Sequence, residues 1–203
     1  MTDQSVSERK RTVILRAARA VFSRQGYAAT AVDDIAEEAG IAKGTLYLYF
    51  KSKEELYLAA LACDLRELAS EAAAEMDRAA TFREQVRAFL EVRMRYAAAH
   101  EDFLRIYLAE YGSMFVKTPL RNELRRVSRD AMRHMARAAE AAMKRGELRR
   151  LAPGAVAAVV FDVARGLVER RLLGWKEFQT RGEIAFAVDL LWSGIGRENR
   201  REK

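Results

Sequence analysis

The sequence predicts an all-α fold. Apolar residues recur three and four positions apart in one segment after another, the spacing that lays them along one side of a helix. Those segments open on hydroxyl or acidic residues suited to helix starts, and several close on glycines suited to helix ends. No stretch shows strand alternation, a hairpin turn or an internal repeat. With 203 residues, half of them apolar, the chain suffices for one large domain or two small ones whose core needs neither metal nor disulfide.

The first helix is carried by Ile14, Ala17, Ala18, Val21 and Phe22, and Gly26 is its stop signal. Arg9, Lys10, Arg11 and Arg16 crowd its start, where the helix dipole disfavours cations. Either an anion such as DNA phosphate answers them or they belong to a solvated tail. Residues 1–10 are polar and charged, so they read as a tail rather than a secretory signal. Thr30 and Asp33 are spaced as a capping box for a second helix with Ile35, Ala36 and Ala39 on its apolar side. Gly40 suits the left-handed turn that follows, and Ile41, Leu46 and Phe50 give the third helix its apolar face. Residues 32–51 therefore read as a helix-turn-helix, with Lys43, Thr45, Tyr47 and Tyr49 facing outward. Ser52 and Glu55 repeat the capping device for a long fourth helix through Leu56, Ala60, Leu65, Leu68 and Ala72.

Thr81 and Glu84 open the next helix, with Val86, Phe89, Leu90 and Met94, and a further segment carries Phe103, Ile106, Tyr107 and Tyr111. A break is expected around residues 112–119. Leu124, Val127, Ala131, Met135, Ala138 and Ala142 then mark a long helix closed by Gly146. Pro153 opens a helix to about residue 173, and Thr180 with Glu183 opens the last, to about residue 195. The total is about nine helices.

The chain resembles the TetR family of bacterial transcriptional regulators. The resemblance rests on Gly26-Tyr27, Thr30, Ile35-Ala36, Ala39-Gly40-Ile41, Lys43-Gly44-Thr45-Leu46-Tyr47 and Tyr49-Phe50-Lys51-Ser52-Lys53-Glu54, whose order and spacing are specific. It implies a three-helix helix-turn-helix DNA-binding domain over residues 9–69, joined by the long helix to a helical ligand-binding and dimerisation domain over residues 70–196. Residues 1–8 and 197–203 are left as flexible tails. The resemblance sets Thr45, Tyr47 and Tyr49 near base edges and phosphates, pairs Lys53 with the DNA backbone and adds Thr30 to the DNA-facing set. The chemistry suits those roles. Threonine donates a hydrogen bond and offers a methyl, tyrosine couples a ring to a hydroxyl, and Gly44 has no side chain to hold a DNA backbone away. Lys43 has donors for guanine or for phosphate alone. Ala42 and Ala31 depart from the family pattern, since hydroxyl residues are common there, and an uncapped start leaves a helix about 1 kcal/mol less stable.

The implied function is a ligand-responsive regulator, with repression the commoner direction in the family. It binds a palindromic DNA operator as a homodimer and is released by a small-molecule effector. The alternative is a DNA-binding activator or nucleoid-type binder without effector control. Phe103, Tyr107, Tyr111, Met114, Phe115, Met132, Met135 and Phe161 are either core or the lining of an adaptable effector pocket. Val156, Val159, Val160, Val163, Leu167, Leu190, Leu191 and Trp192 give the last two helices apolar surface for a dimer interface. Arg121, Arg125, Arg129, Arg133 and Arg137 form a stripe at four-residue spacing. It is a solvated face, or it answers an acidic surface, an acidic ligand group or flanking DNA.

A net charge of +7, from 36 basic and 29 acidic residues, favours an anionic partner without proving one. An enzyme fits poorly. The two histidines, His100 and His134, lack metal-ligand spacing, and there is neither a nucleophile elbow nor a phosphate-cradling glycine loop. Asp130 and His134, one turn apart, read as a surface pair. No cofactor or metal is expected. The single cysteine, Cys63, suits a reducing cytoplasm. The longest uncharged run, residues 151–161, is too short for a membrane span of about 20 residues.

Overall fold

The structure, a computed structural model, describes residues 3–101, 103–105, 119–175 and 182–196. Among them stand eight helices: α1 (Asp3–Gln25), α2 (Val32–Glu38), α3 (Lys43–Tyr49), α4 (Lys53–Arg78), α5 (Phe82–Ala99), α6 (Pro119–Lys144), α7 (Pro153–Leu172) and α8 (Glu183–Ile195). The only strand-like pairing among the described residues is an isolated bridge between Leu148 and Gly196. Two compact units are formed, Met1–Glu67 with His100–Arg125, and Leu68–Ala99 with Arg126–Lys203.

In the first unit α2 packs on both α1 and α3. The apolar stripe of α1 is buried as its spacing predicts, together with Leu15. Gly26 and Gly40 take positive φ, as helix stops require. At Gly40 the turn closes as a Schellman motif: the Ile41 N–H bonds the Ala36 carbonyl at 3.0 Å and the Gly40 N–H bonds that of Glu37 at 2.9 Å. These bonds set the angle between the two short helices. In α4 the run Leu56 to Ala62 is buried on every side, so the start of this helix is the centre of its unit. Phe22, Tyr27 and Tyr57 make an aromatic cluster with centroids 5.3–5.7 Å apart, and Phe103 joins it at 5.2 Å from Tyr57.

The caps modify the expected boundaries. Helix α2 starts one residue later than the Thr30–Asp33 spacing predicts, with Ala31 as N-cap and its N–H donating to Asp34 at 3.1 Å. Ser52 accepts the Glu55 N–H at 3.0 Å as expected, but the Glu55 carboxylate reaches past it to the Lys51 N–H at 2.7 Å. The Thr81–Glu84 box is complete, and Glu84 also takes the Ala80 N–H. Those bonds, the one from the Thr81 N–H foremost, hold the Glu84 carboxyl below its ordinary range.

In the second unit α5 packs against α7 and α8. Phe89 and Phe161 meet as a tilted ring pair with centroids 4.8 Å apart, and the Arg93 guanidinium lies over both rings. Val156, Val160 and Leu167 are spent on this internal core, whereas Val159, Leu173, Phe186 and Leu190 are exposed. Asp130 and His134 do not pair. Asp130 meets Arg133 at 3.0 Å, and His134 reaches Asp77 at 3.1 Å, because three- and four-residue neighbours compete with acceptors from facing helices. Arg125, Arg129, Arg133 and Arg137 are all exposed. Cys63 sits half-buried within α4.

Candidate nucleic-acid interface

Helix α3 is seven residues long, two turns, and its orientation rests on two side chains. Leu46 and Phe50 are buried beneath it, and the Arg11 guanidinium of α1 covers the Phe50 ring at 5.3 Å. What stays exposed is Lys43, Gly44, Tyr47 and Leu48. These positions share one side of a helix, being one turn apart in pairs. Thr45 and Tyr49 lie at its margin, half-buried. The outward set read from the sequence is thus shifted round the helix, and Leu48, absent from that set, is 84% exposed.

The polar groups of this face are already partly engaged. Lys43 donates to Asp33 of α2 at 2.9 Å, an exposed pair. The hydrogen bond and charge of Asp33 raise the lysine above its ordinary pKa, so it carries its full charge at neutral pH. Gly44 has nothing within 4 Å of where a Cβ would stand, so nothing within the chain requires glycine there. Ala42 is the N-cap and makes no side-chain cap bond.

Two residues of the expected DNA-facing set are directed inward. Thr30 is buried, and its hydroxyl donates to the Gly26 carbonyl at 2.6 Å, satisfying an acceptor at the end of α1. The Lys53 ammonium donates to the carbonyls of Tyr27 at 2.8 Å, Thr30 at 2.9 Å and Ala28 at 3.4 Å, and lies 4.6 Å from the Tyr27 ring centre. An ammonium has three protons, and here each has an acceptor in the α1–α2 connection. Lys53 therefore locks that connection to the start of α4, and a phosphate would have to displace one of these bonds. Carbonyls gathered by the chain's turn leave no periodic signal in a sequence.

Beyond α3, Asp64 of α4 is buried and paired with Arg19 of α1 at 3.0 Å. Burial lowers the pKa of His100 below its ordinary value and the Arg19 charge lowers it further, while Asp64 opposes both. Of the expected pocket residues, Tyr107, Tyr111, Met114 and Phe115 lie outside the described residues. Phe103 is buried in the first unit, where its carbonyl accepts the Tyr57 hydroxyl at 3.2 Å. Met135 is buried and Met132 and Phe161 are half-buried in the second. No group of three or more acidic, histidine or cysteine side chains able to hold a metal occurs among the described residues. No helix among them is long and apolar enough to cross a membrane.

Two short helices fixed by a glycine turn, with an exposed and partly cationic face on the second, define a helix-turn-helix DNA-binding protein. The family profile described as bacterial regulatory proteins, tetR family, matches residues 14–60. The HTH-type transcriptional regulator YhgD of Bacillus subtilis is 28% identical over 161 residues, which cover 78% of this chain and 82% of that one. Among solved structures, a transcriptional regulator from Saccharomonospora viridis in complex with choline superposes with a TM-score of 0.77 at 20% identity, over 94% of this chain and 100% of that one. The transcriptional regulator FadR from Bacillus subtilis in complex with stearoyl-CoA superposes with a TM-score of 0.74 at 21% identity, over 90% and 98%. Residues 14–60 thus carry the helix-turn-helix segment of the TetR family, and most of the chain's length is similar to an HTH-type transcriptional regulator. The relatives it matches are transcriptional regulators.

Proposed function

We propose that this protein is a dimeric, ligand-responsive transcriptional repressor of the cytoplasm that binds a palindromic operator and releases it when a small molecule binds. The exposed face of Lys43, Gly44, Tyr47 and Leu48 on α3 is the observation that carries the reading. Cationic, aromatic and apolar groups together suit a major groove, where phosphates, base donors and acceptors and thymine methyls are all within reach. Thr45 and Tyr49 flank the contact, while Thr30 and Lys53 act through the α1–α2 connection.

The division of labour follows the same reading: residues 9–69 bind DNA and residues 70–196 bind the effector and the second subunit. Exposed Val159 on α7 and Phe186 and Leu190 on α8 support pairing through the last two helices. Two-fold symmetry then presents two reading helices to half-sites about one DNA turn apart. Met132, Met135 and Phe161, all in the second unit, support an apolar or amphipathic effector. The choline and stearoyl-CoA bound by the two neighbours both carry apolar groups beside a charge, in keeping with that class. Release requires the effector to prefer the conformation that does not bind DNA.

The test is titration against DNA from upstream of the protein's own gene, with and without the hits of a thermal-shift screen of amphipathic compounds. A sequence-specific complex dissociated by at least one hit is expected. Salt-sensitive binding to any DNA, indifferent to every hit, would replace this reading with a nucleoid-type binder.

A further inference from the structure

We propose that Leu48 reads the 5-methyl group of a thymine, so that an apolar contact at the tip of α3 helps select the operator. This rests on the DNA-reading face assigned above. Leu48 is the most exposed large apolar side chain among the described residues, at 84%, on a helix whose other large aliphatic side chain, Leu46, is buried. It adds nothing to the core, so its removal should not disturb the fold.

The neighbours of Leu48 direct it to a base edge. Gly44 lies one turn earlier on the same side, with open space where its side chain would be, so nothing beside Leu48 keeps the helix from close approach. Tyr47, 44% exposed, extends the apolar surface next to it, and Lys43 supplies a charge one turn back from Tyr47. Leucine has neither donor nor acceptor. Against a phosphate or the polar edge of a G·C pair it would strip water from acceptors and replace nothing. In the major groove the thymine methyl is the one apolar group a natural base pair presents. Leucine on methyl is therefore the favourable pairing and leucine on polar edges the penalised one, which is how a side chain without hydrogen bonds discriminates.

The experiment begins with DNA enriched from a random pool by the full-length chain. Each thymine of a half-site is then replaced in turn by deoxyuridine, which removes the methyl and leaves every hydrogen-bonding group in place. One replacement should weaken wild-type binding about fourfold, the effect of one buried methyl-sized group. That sensitivity should vanish in Leu48→Ala, persist in Leu48→Met, and leave the salt dependence of binding unchanged, because no phosphate contact is lost. Circular dichroism melting confirms that both variants fold. Equal tolerance of uridine at every position, or undiminished sensitivity in Leu48→Ala, would overturn the assignment to Leu48 while leaving the reading face intact. A pool with no enriched sequence would overturn both.

Discussion

Ala42 and Gly44 stand two residues apart at the start of α3, and each separates stability from binding in its own way. Ala42 occupies an N-cap position and makes no side-chain cap bond. Ala42→Ser supplies the missing acceptor, and about 1 kcal/mol of added stability is expected, read as a higher melting temperature. Gly44 lacks internal contacts where a side chain would be. Gly44→Ala should therefore fold, with up to about 1 kcal/mol gained from helix propensity. If DNA occupies that space, the same methyl weakens operator binding roughly tenfold, as overpacking does. Titration of DNA beside a melting curve checks both halves, and lost stability would contradict the open space.

At the scale of elements, the Arg19–Asp64 bond ties α1 to α4, and His100 lies in the field of both groups. Its pKa is lowered from the ordinary 6.5, so the unfolded chain binds the proton more readily than the folded one. The stability contributed is complete above the unfolded value and is lost as pH falls from there through the folded one. Melting temperatures measured downward from about pH 8 should decline below the unfolded imidazole value more steeply in wild type than in His100→Gln. Parallel curves would contradict this.

The helices themselves were largely legible in the chain, because α1, α5 and α6 are long enough for apolar spacing to define a face, and Gly26, Gly40 and Gly146 all take the positive φ of a stop. The site was less so. Two turns of α3 give too few positions for periodicity to separate an exposed Leu48 from a buried Leu46. The resemblance puts Thr30 and Lys53 in the DNA-facing set, yet both are held by backbone carbonyls whose direction depends on the turn between α1 and α2. The Arg11–Phe50 and Arg93–Phe161 contacts join residues distant in sequence, and spacing carries no trace of them.

At the scale of the whole molecule, the assembly and the reading face are one claim, since a palindrome is recognised only by paired heads. Phe186 and Leu190 are exposed one turn apart on α8. A Phe186→Glu, Leu190→Glu double variant should elute as a monomer in size-exclusion chromatography with light scattering and the wild type as a dimer; a monomeric wild type would contradict the interface. Paired reading of an operator through α3 is tested most directly by selection of DNA from a random pool by the protein, repeated with Tyr47→Ala. The predicted result is two inverted half-sites spaced by roughly 10 base pairs or a multiple, enriched by wild type and lost in a folded Tyr47→Ala. Recovery of DNA without a common sequence, or an unchanged motif in Tyr47→Ala, would contradict it.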